Sequence, residues 1–274
     1  MFADDTNLFL SGKHLHEIEL QLNIELKLIT QWFQVNLLSL NVSKTSYIIF
    51  GNRLTHELNL TMQGTKLEQT LETKFLGVII NHKLSWKSHI SNVCGKMSKT
   101  IGIIAKVRHL LPTEQVLMLY RTLVEPYMNY CCIVWGGINR SGCLDKIHKI
   151  QKRYCRLITF SDYRAHSAPL FMKLKIFTIY NMFRYQASLY MYRHMSGLLP
   201  RVLFKFQLNK EIHDHFTRQN LNLHNAFCRT RCRQLTFQPQ GLRLWNSLPM
   251  DIKNLSFTGF KKALKIHVLE TNIV

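Results

Sequence analysis

The period at which apolar residues recur changes at Trp86, and this change constrains the fold more than any other feature of the chain. Downstream, Trp86, Ile90, Val93, Met97, Ile101 and Ile104 follow at three- and four-residue intervals. That spacing gathers side chains on one face of an α-helix, which turns once in about 3.6 residues. Upstream, apart from one helical stretch, the apolar residues fall in short runs broken by glycine, as in strands whose side chains alternate between two faces. An α+β chain is expected: a small antiparallel sheet with one long helix over residues 1–85, then a largely helical remainder.

Within the first part, TNLFL (6–10) predicts a short strand closed by Ser11 and Gly12. Leu15, Ile18, Leu22, Leu26, Ile29 and Phe33 predict a helix over about 14–38, whose Leu15, Ile18, Leu22 and Ile29 face packs on the sheet. SYIIFG (46–51) predicts a strand, LNLTMQGTKLE a hairpin about Gly64, and KFLGVII (74–80) another buried strand, giving three to five strands in all. Beyond the helix that follows Trp86, a second is expected over about 113–125 between two prolines and a third over 141–158. A fourth, long and aromatic-rich, is expected between Pro169 and Met195. Residues 200–240 read as irregular and basic, and a last helix starts at Ser256, its N-cap, with Phe257, Phe260 and Leu264 turned inward.

Charge divides at the same place. Residues 1–85 hold 7 Lys/Arg against 8 Asp/Glu, whereas residues 86–274 hold 29 against 8, so the whole net charge of +20 lies in the second part. A field of that sign attracts polyanions, whose phosphates release counterions when neutralised. Seven cysteines, an odd number, scattered through the chain argue against a secreted disulfide framework. No apolar run reaches the roughly 18 residues of a membrane span and no signal-peptide pattern opens the chain, so an intracellular protein, nuclear or cytoplasmic, is expected.

The motif FADD (2–5) sets two carboxylates side by side, where a hard divalent cation can be held, although an isolated Asp-Asp pair is more often a solvated turn. Its context is more specific. FADD, then TNLFLSG, the helix ending QWFQVNLLSLNVSKTSYIIF, KFLGVII and LSWKSHISNVCGKMSKTIGIIAKVRHLLP come in the order and spacing of LINE-type (non-LTR) retrotransposon reverse transcriptases, which the chain resembles. LMLYRTLVEPYMNYCCIVWGG, LDKIHKIQKRYCRLIT, HSAPLF and QGLRLWNSLPMDIKNLSFTGFKKALK extend the resemblance over nearly the whole length.

The resemblance implies a partial polymerase palm over 1–85, a thumb-like helical region over 86–160 and a basic, mainly helical C-terminal region over 161–274. Asp4 and Asp5 match the aspartates that hold catalytic Mg²⁺, and Lys44 matches a palm lysine near the leaving phosphates; a surface lysine at a strand edge is the alternative. Phe75 and Gly77 match a hairpin that grips the primer end. Gly77 there permits close backbone approach, or else marks a bulge. Lys96, Lys99 and Lys106 fall on the thumb-like helices. The partners implied are an RNA template and RNA–DNA or DNA duplex.

The family pattern also implies that the chain starts inside a motif, with the fingers, the nucleotide-selecting segment and another metal-binding aspartate upstream of it. TNLFL is then expected as an uncovered edge strand with exposed apolar side chains. Counting acids leads to the same place. Besides Asp4 and Asp5 the aspartates are Asp145, Asp162, Asp214 and Asp251, all in the basic part, so no strand-borne partner remains for a two-ion site and Mg²⁺ is expected to bind weakly.

LDKIHKIQKRYCRLI places Lys146, Lys149, Lys152, Arg153 and Arg156 on one helix with Leu144, Ile147, Ile150, Tyr154 and Ile158 free to face inward, an arrangement suited to a phosphate backbone or to a solvated face. His213, His215, His224, Cys228 and Cys232 cluster in sequence, but their spacing matches no standard zinc finger and three arginines adjoin the thiols. The expected function is a reverse-transcriptase fragment that is inactive alone. A non-catalytic nucleic-acid-binding module, or an element remnant without a selected role, are the alternatives.

Overall fold

The computed structural model describes residues 5–51, 57–137, 142–200, 205–212, 220 and 222–271. The chain divides into two units, Met1–Ser85 and Trp86–Val274.

In the first unit, helix α1 (Leu15–Val35) turns Leu15, Ile18, Leu22 and Leu26 onto a small core with Leu58, Leu60, Met62 and Leu67. Six short strands follow: β1 (Ser46–Tyr47), β2 (Thr61–Met62), β3 (Thr65–Lys66), β4 (Glu68–Gln69), β5 (Glu72–Phe75) and β6 (Val78–Asn81). They pair as three separate two-stranded ladders, not as one antiparallel sheet, and the β1–β4 pair is parallel. Two strands expected from sequence are absent or cut short. Residues 6–10 form no ladder among the described residues, and of SYIIFG only Ser46 and Tyr47 pair. A strand is held by its neighbour's backbone, and apolar β-like sequence without a neighbour cannot define one. Leu8, Phe9 and Leu10 are exposed, without the edge strand expected there.

KFLGVII is a hairpin and not a continuous strand. Phe75 pairs with Val78 across a two-residue turn in which Leu76 and Gly77 both have positive φ, 44° and 82°. Met62 and Thr65 pair likewise across Gln63 and Gly64, at 50° and 77°. This is the type I′ geometry, whose twist matches that of the flanking strands. Gly77 therefore stands in the hairpin turn, at a positive φ that the turn requires. Tyr47 ties the pieces together: its Oη accepts from Leu58 N (2.9 Å) and donates to Leu58 O (3.0 Å).

The second unit consists of α2 (Lys87–Val107), α3 (Thr113–Leu123), α4 (Glu125–Asn129), α5 (Cys132–Trp135), α6 (Cys143–Ile158), α7 (Ser167–Leu174), α8 (Ile179–Met195), α9 (Arg231–Gln234), α10 (Phe237–Ser247), α11 (Met250–Lys253) and α12 (Phe257–Glu270). The stripe Trp86, Ile90, Val93, Met97, Ile101 and Ile104 is buried throughout. On α6, Leu144, Ile147, Tyr154 and Ile158 are buried as expected; Ile150 is half-buried, and Gln151 takes an inward place.

The single aromatic-rich helix expected to Met195 is two helices. Lys175 adopts φ 51°, its N–H bonds Met172 O (3.1 Å) and Ile176 N–H bonds Phe171 O (3.1 Å), a Schellman-type stop. The chain restarts at Thr178, whose side chain caps Asn181 N. Helix α10 begins inside the stretch expected to be irregular, residues 200–240, and runs beyond it. Pro239 sits in its first turn, where a missing N–H costs nothing. Gly241 lets it approach α8, because a Cβ there would lie 3.0 Å from the Phe237 ring and 3.2 Å from Met191 Sδ. Ser256 caps α12 through Gly259 N, and Phe260 and Leu264 are fully buried against Trp245, Leu242 and Leu189, while Phe257 is partly buried.

Candidate functional site

Helix α6 has two faces. Its inward face anchors the unit: Gln151, fully buried, donates from Nε2 to Phe177 O (2.9 Å) and accepts at Oε1 from Ile179 N (2.9 Å), and Tyr154 Oη donates to Met97 O. On the other face Lys146, Lys149, Arg153 and Arg156 follow at intervals of three, four and three residues, one stripe along the helix. Lys146, Lys149 and Arg153 are exposed and Lys152 is half-buried. Arg156 has a structural task as well, donating from Nε to Ala165 O (3.0 Å). Lys99 and Lys106, seven residues apart, lie on the side of α2 opposite its buried stripe, and Lys96 lies over the Tyr127 ring at 5.3 Å. Among the described residues of this unit no Lys or Arg side chain lies within ion-pair distance of a carboxylate. The excess positive charge is thus open to an external anion.

Titratable groups along α6 respond to burial. Desolvation lowers the pKa of His148, which stacks on Phe171 at 5.5 Å, and the neighbouring Lys152 acts in the same direction while Asp145 opposes it. Burial pushes the Cys155 thiol up to about 12 and the Cys132 thiol to about 12. Such thiols are space-filling groups and not nucleophiles. Tyr180 donates to Asp145, the acid in the first turn of α6, and burial with that carboxylate raises the phenol's pKa.

In the first unit Asp4 lies outside the described residues and Asp5 is exposed. Lys44 ends a 3-10 turn, Val42–Lys44, with its backbone N–H bonded to Asn41 Oδ1 (3.2 Å) and its side chain exposed. Among the described residues no three His, Cys, Asp or Glu side chains gather as a metal site. One adjacent acid pair cannot complete the octahedral oxygen shell that Mg²⁺ demands, so the described donors do not fit that ion by themselves. His213 and His215 of the His/Cys cluster lie outside the described residues. Phe75 packs edge-on against Phe9 at 6.0 Å. Both rings border a hollow of about 980 Å³ between residues 6–13, the inner face of α1 and the ladders.

One cluster was not anticipated from the sequence. The turns that end α2 and α6 join Arg108 and His109 to Phe160, and Arg156 to Tyr163. The available signal was the alternation of basic and aromatic residues in RLITFSDYR, beside a turn that brings RHLLP to it.

No helix among the described residues is long and apolar enough to cross a membrane. No family model matches the chain, and no solved structure matches it significantly. Sequence relatives do exist. The chain is 22% identical over 204 residues to the probable RNA-directed DNA polymerase from transposon X-element of Drosophila melanogaster, a match covering 72% of this chain and 22% of that protein. It is 25% identical over 208 residues to the RNA-directed DNA polymerase from mobile element jockey of Drosophila funebris, covering 73% of this chain and 22% of the relative. The jockey polymerase of Drosophila melanogaster is 24% identical over 179 residues, 64% of this chain and 19% of its own length. The chain therefore spans about a fifth of the length of the relatives it matches, and it carries a region related to the RNA-directed DNA polymerases of LINE-type, non-LTR mobile elements.

Proposed function

We propose that the chain is a reverse-transcriptase fragment of a non-LTR element, with part of the palm in the first unit and a thumb-like, duplex-binding region in the second. The observation that carries this reading is the similarity to RNA-directed DNA polymerases over about three quarters of the chain. The α6 stripe supports it with exposed, unneutralised cations along one helix face, a geometry that follows a phosphate backbone and reads no base. Lys146, Lys149 and Arg153 are its principal cations. Lys152 and Arg156 serve less, since one is half-buried and the other is partly committed to Ala165 O.

In this reading Asp4 and Asp5 are metal ligands of a complete palm, Lys44 lies near the leaving phosphates, and the Phe75–Gly77 hairpin meets the primer end. Two-ion phosphoryl transfer draws carboxylates from separate strands and depends on positioning. The remaining aspartates, Asp145, Asp162, Asp214 and Asp251, all belong to the second unit. Glu68 and Glu72 also stand on strands of the first unit, but no three ligating side chains gather among the described residues, so in this reading the 274-residue chain on its own extends no primer. A primed RNA template with labelled deoxynucleotides and Mg²⁺ or Mn²⁺ tests this, beside an Asp4→Ala, Asp5→Ala control; extension that disappears in the control would overturn the inactivity. Binding is tested by titrating salt against an RNA–DNA hybrid. Affinity should fall steeply with salt, and Lys146→Gln, Lys149→Gln and Arg153→Gln together should flatten the slope by about 0.9 for each phosphate no longer neutralised. A salt-independent affinity would leave the stripe a merely solvated face.

A further inference from the structure

The turns at the ends of α2 and α6 hold rings that the α6 stripe does not use, beside Arg108 and the last arginine of that stripe, Arg156. Arg108 donates from Nη1 to Leu157 O (3.2 Å), and its guanidinium lies 4.7 Å from the centre of the Phe160 ring. His109, bonded to Arg108 Nε (3.2 Å), meets the same ring edge-on at 5.3 Å. Across the turn the Arg156 guanidinium, held by Ala165 O, lies 5.9 Å from the Tyr163 ring. Both rings stay open to solvent, Phe160 at 52% and Tyr163 at 82%.

Phe160 occupies the left-handed position that ends α6, with φ 54°, where Ser161 N–H bonds Arg156 O (3.0 Å). Glycine fills such positions at least cost, so a half-exposed phenyl group there answers no need of the turn. Asp162, next in the chain to this turn, accepts from Arg164 N (2.8 Å). Lys106 and Arg164 are exposed at the margins. Open aromatic faces beside cations fixed by backbone carbonyls suit a ligand that alternates π faces with negative charges. Unpaired nucleotides have that chemistry, and a duplex, whose base faces are already stacked, does not.

We propose that the surface formed by Arg108, His109, Arg156, Phe160 and Tyr163 binds single-stranded nucleic acid, stacking unpaired bases on Phe160 and Tyr163 with the two guanidiniums toward the flanking phosphates. The inference rests on the nucleic-acid reading above for its class of partner, yet apart from Arg156 it uses different residues, and it takes a different form of the polymer.

The test is fluorescence anisotropy of the full chain at fixed salt with three labelled probes: a single strand, the same strand with abasic positions, and a duplex. The abasic strand keeps the phosphates and lacks the rings. Wild type should bind the intact strand roughly tenfold tighter than the abasic one. Phe160→Ala with Tyr163→Ala should erase that preference and leave duplex affinity and its salt slope unchanged. Tyr163→Ala alone, at a site that packs on nothing in the core, should lose part of the preference and keeps the test decisive if the double variant unfolds. Equal wild-type affinity for intact and abasic strands, or a preference that survives both substitutions, overturns the proposal. Loss of duplex binding on replacing the α6 stripe, with the intact-over-abasic preference retained, supports both readings separately. Duplex binding indifferent to the stripe overturns only the earlier one.

Discussion

Met97, Ile104, Ile147, Tyr154 and Ile158 in the second unit are buried completely, whereas in the first unit the best-covered side chains of α1, Leu26 and Phe33, still expose 9%. The outer faces differ in the same sense. Helix α6 presents lysine and arginine to solvent, but α1 presents Leu20, Ile24, Leu28 and Trp32, four residues apart and each roughly half exposed. The difference follows from how each kind of backbone is satisfied. A helix closes its hydrogen bonds within itself and needs only a neighbour for its apolar stripe. A strand needs another strand, and the ladders of the first unit are two to four residues long with every strand at an edge. The helical unit is therefore specified largely by its own residues, while the first unit leaves apolar surface and backbone edges uncovered.

The largest test of that contrast is a core truncation in the helical unit. Phe260→Ala removes a fully buried ring stacked on Tyr192 at 4.3 Å and should cost about 3–5 kcal/mol in urea unfolding. Gln151→Leu comes next. It strands Phe177 O and Ile179 N–H in the interior, and roughly 2–4 kcal/mol should be lost. A much smaller loss in either case would mean that the helices are held less tightly than their burial indicates. In the first unit, Gly77→Ala forces a side chain into positive φ and should cost about 1–2 kcal/mol, read as loss of amide protection in β5 and β6. If those amides exchange as fast before the substitution as after it, the hairpin contributes nothing measurable to the unit.

Acid should act on the helical unit. Burial lowers the pKa of His89 and His148 from the ordinary 6.5, so the unfolded chain takes up those protons first as pH falls. The stability due to the neutral imidazoles is full above about 6.5 and is lost below it. Lys96 beside His89 and Lys152 beside His148 act in the same direction, whereas Asp145 opposes it. Urea midpoints should fall between pH 7 and pH 5, and His148→Phe should shrink that fall. The smallest effect is expected outside: Ile24→Lys on the open face of α1 should change stability by no more than about 0.5 kcal/mol. A loss of several kcal/mol there would show that this face is packed after all.

Much of the helical unit was legible in the residues. The Trp86-to-Ile104 stripe, the inward set of α6 and the Ser256 cap all rest on local periodicity or on a hydrogen bond three residues away. The first unit was legible only in part, because SYIIFG and TNLFL have strand composition without deciding which backbone they meet. Helix α10 was not legible because its start falls in a basic stretch without helical periodicity and holds Pro239 and Gly241, and the structure shows that one sits in a first turn and the other permits close approach to α8.

Of the candidate site, the α6 stripe and the relationship to RNA-directed DNA polymerases were readable from order and spacing along the chain. The sequence by itself determined where the charge lies, where α1, α2, α6 and α12 run and which face of each is apolar, since these depend on neighbours within a few residues. Only the tertiary structure decided that Gln151 is an interior tie, that Arg156 is half committed to Ala165, and that β1 pairs in parallel with β4. It alone brought Arg108, 52 residues before Phe160 in the chain, onto that ring. Such pairings cross long stretches of chain, and no local pattern encodes them, because the energy that selects them comes from burying surfaces whose partner lies elsewhere.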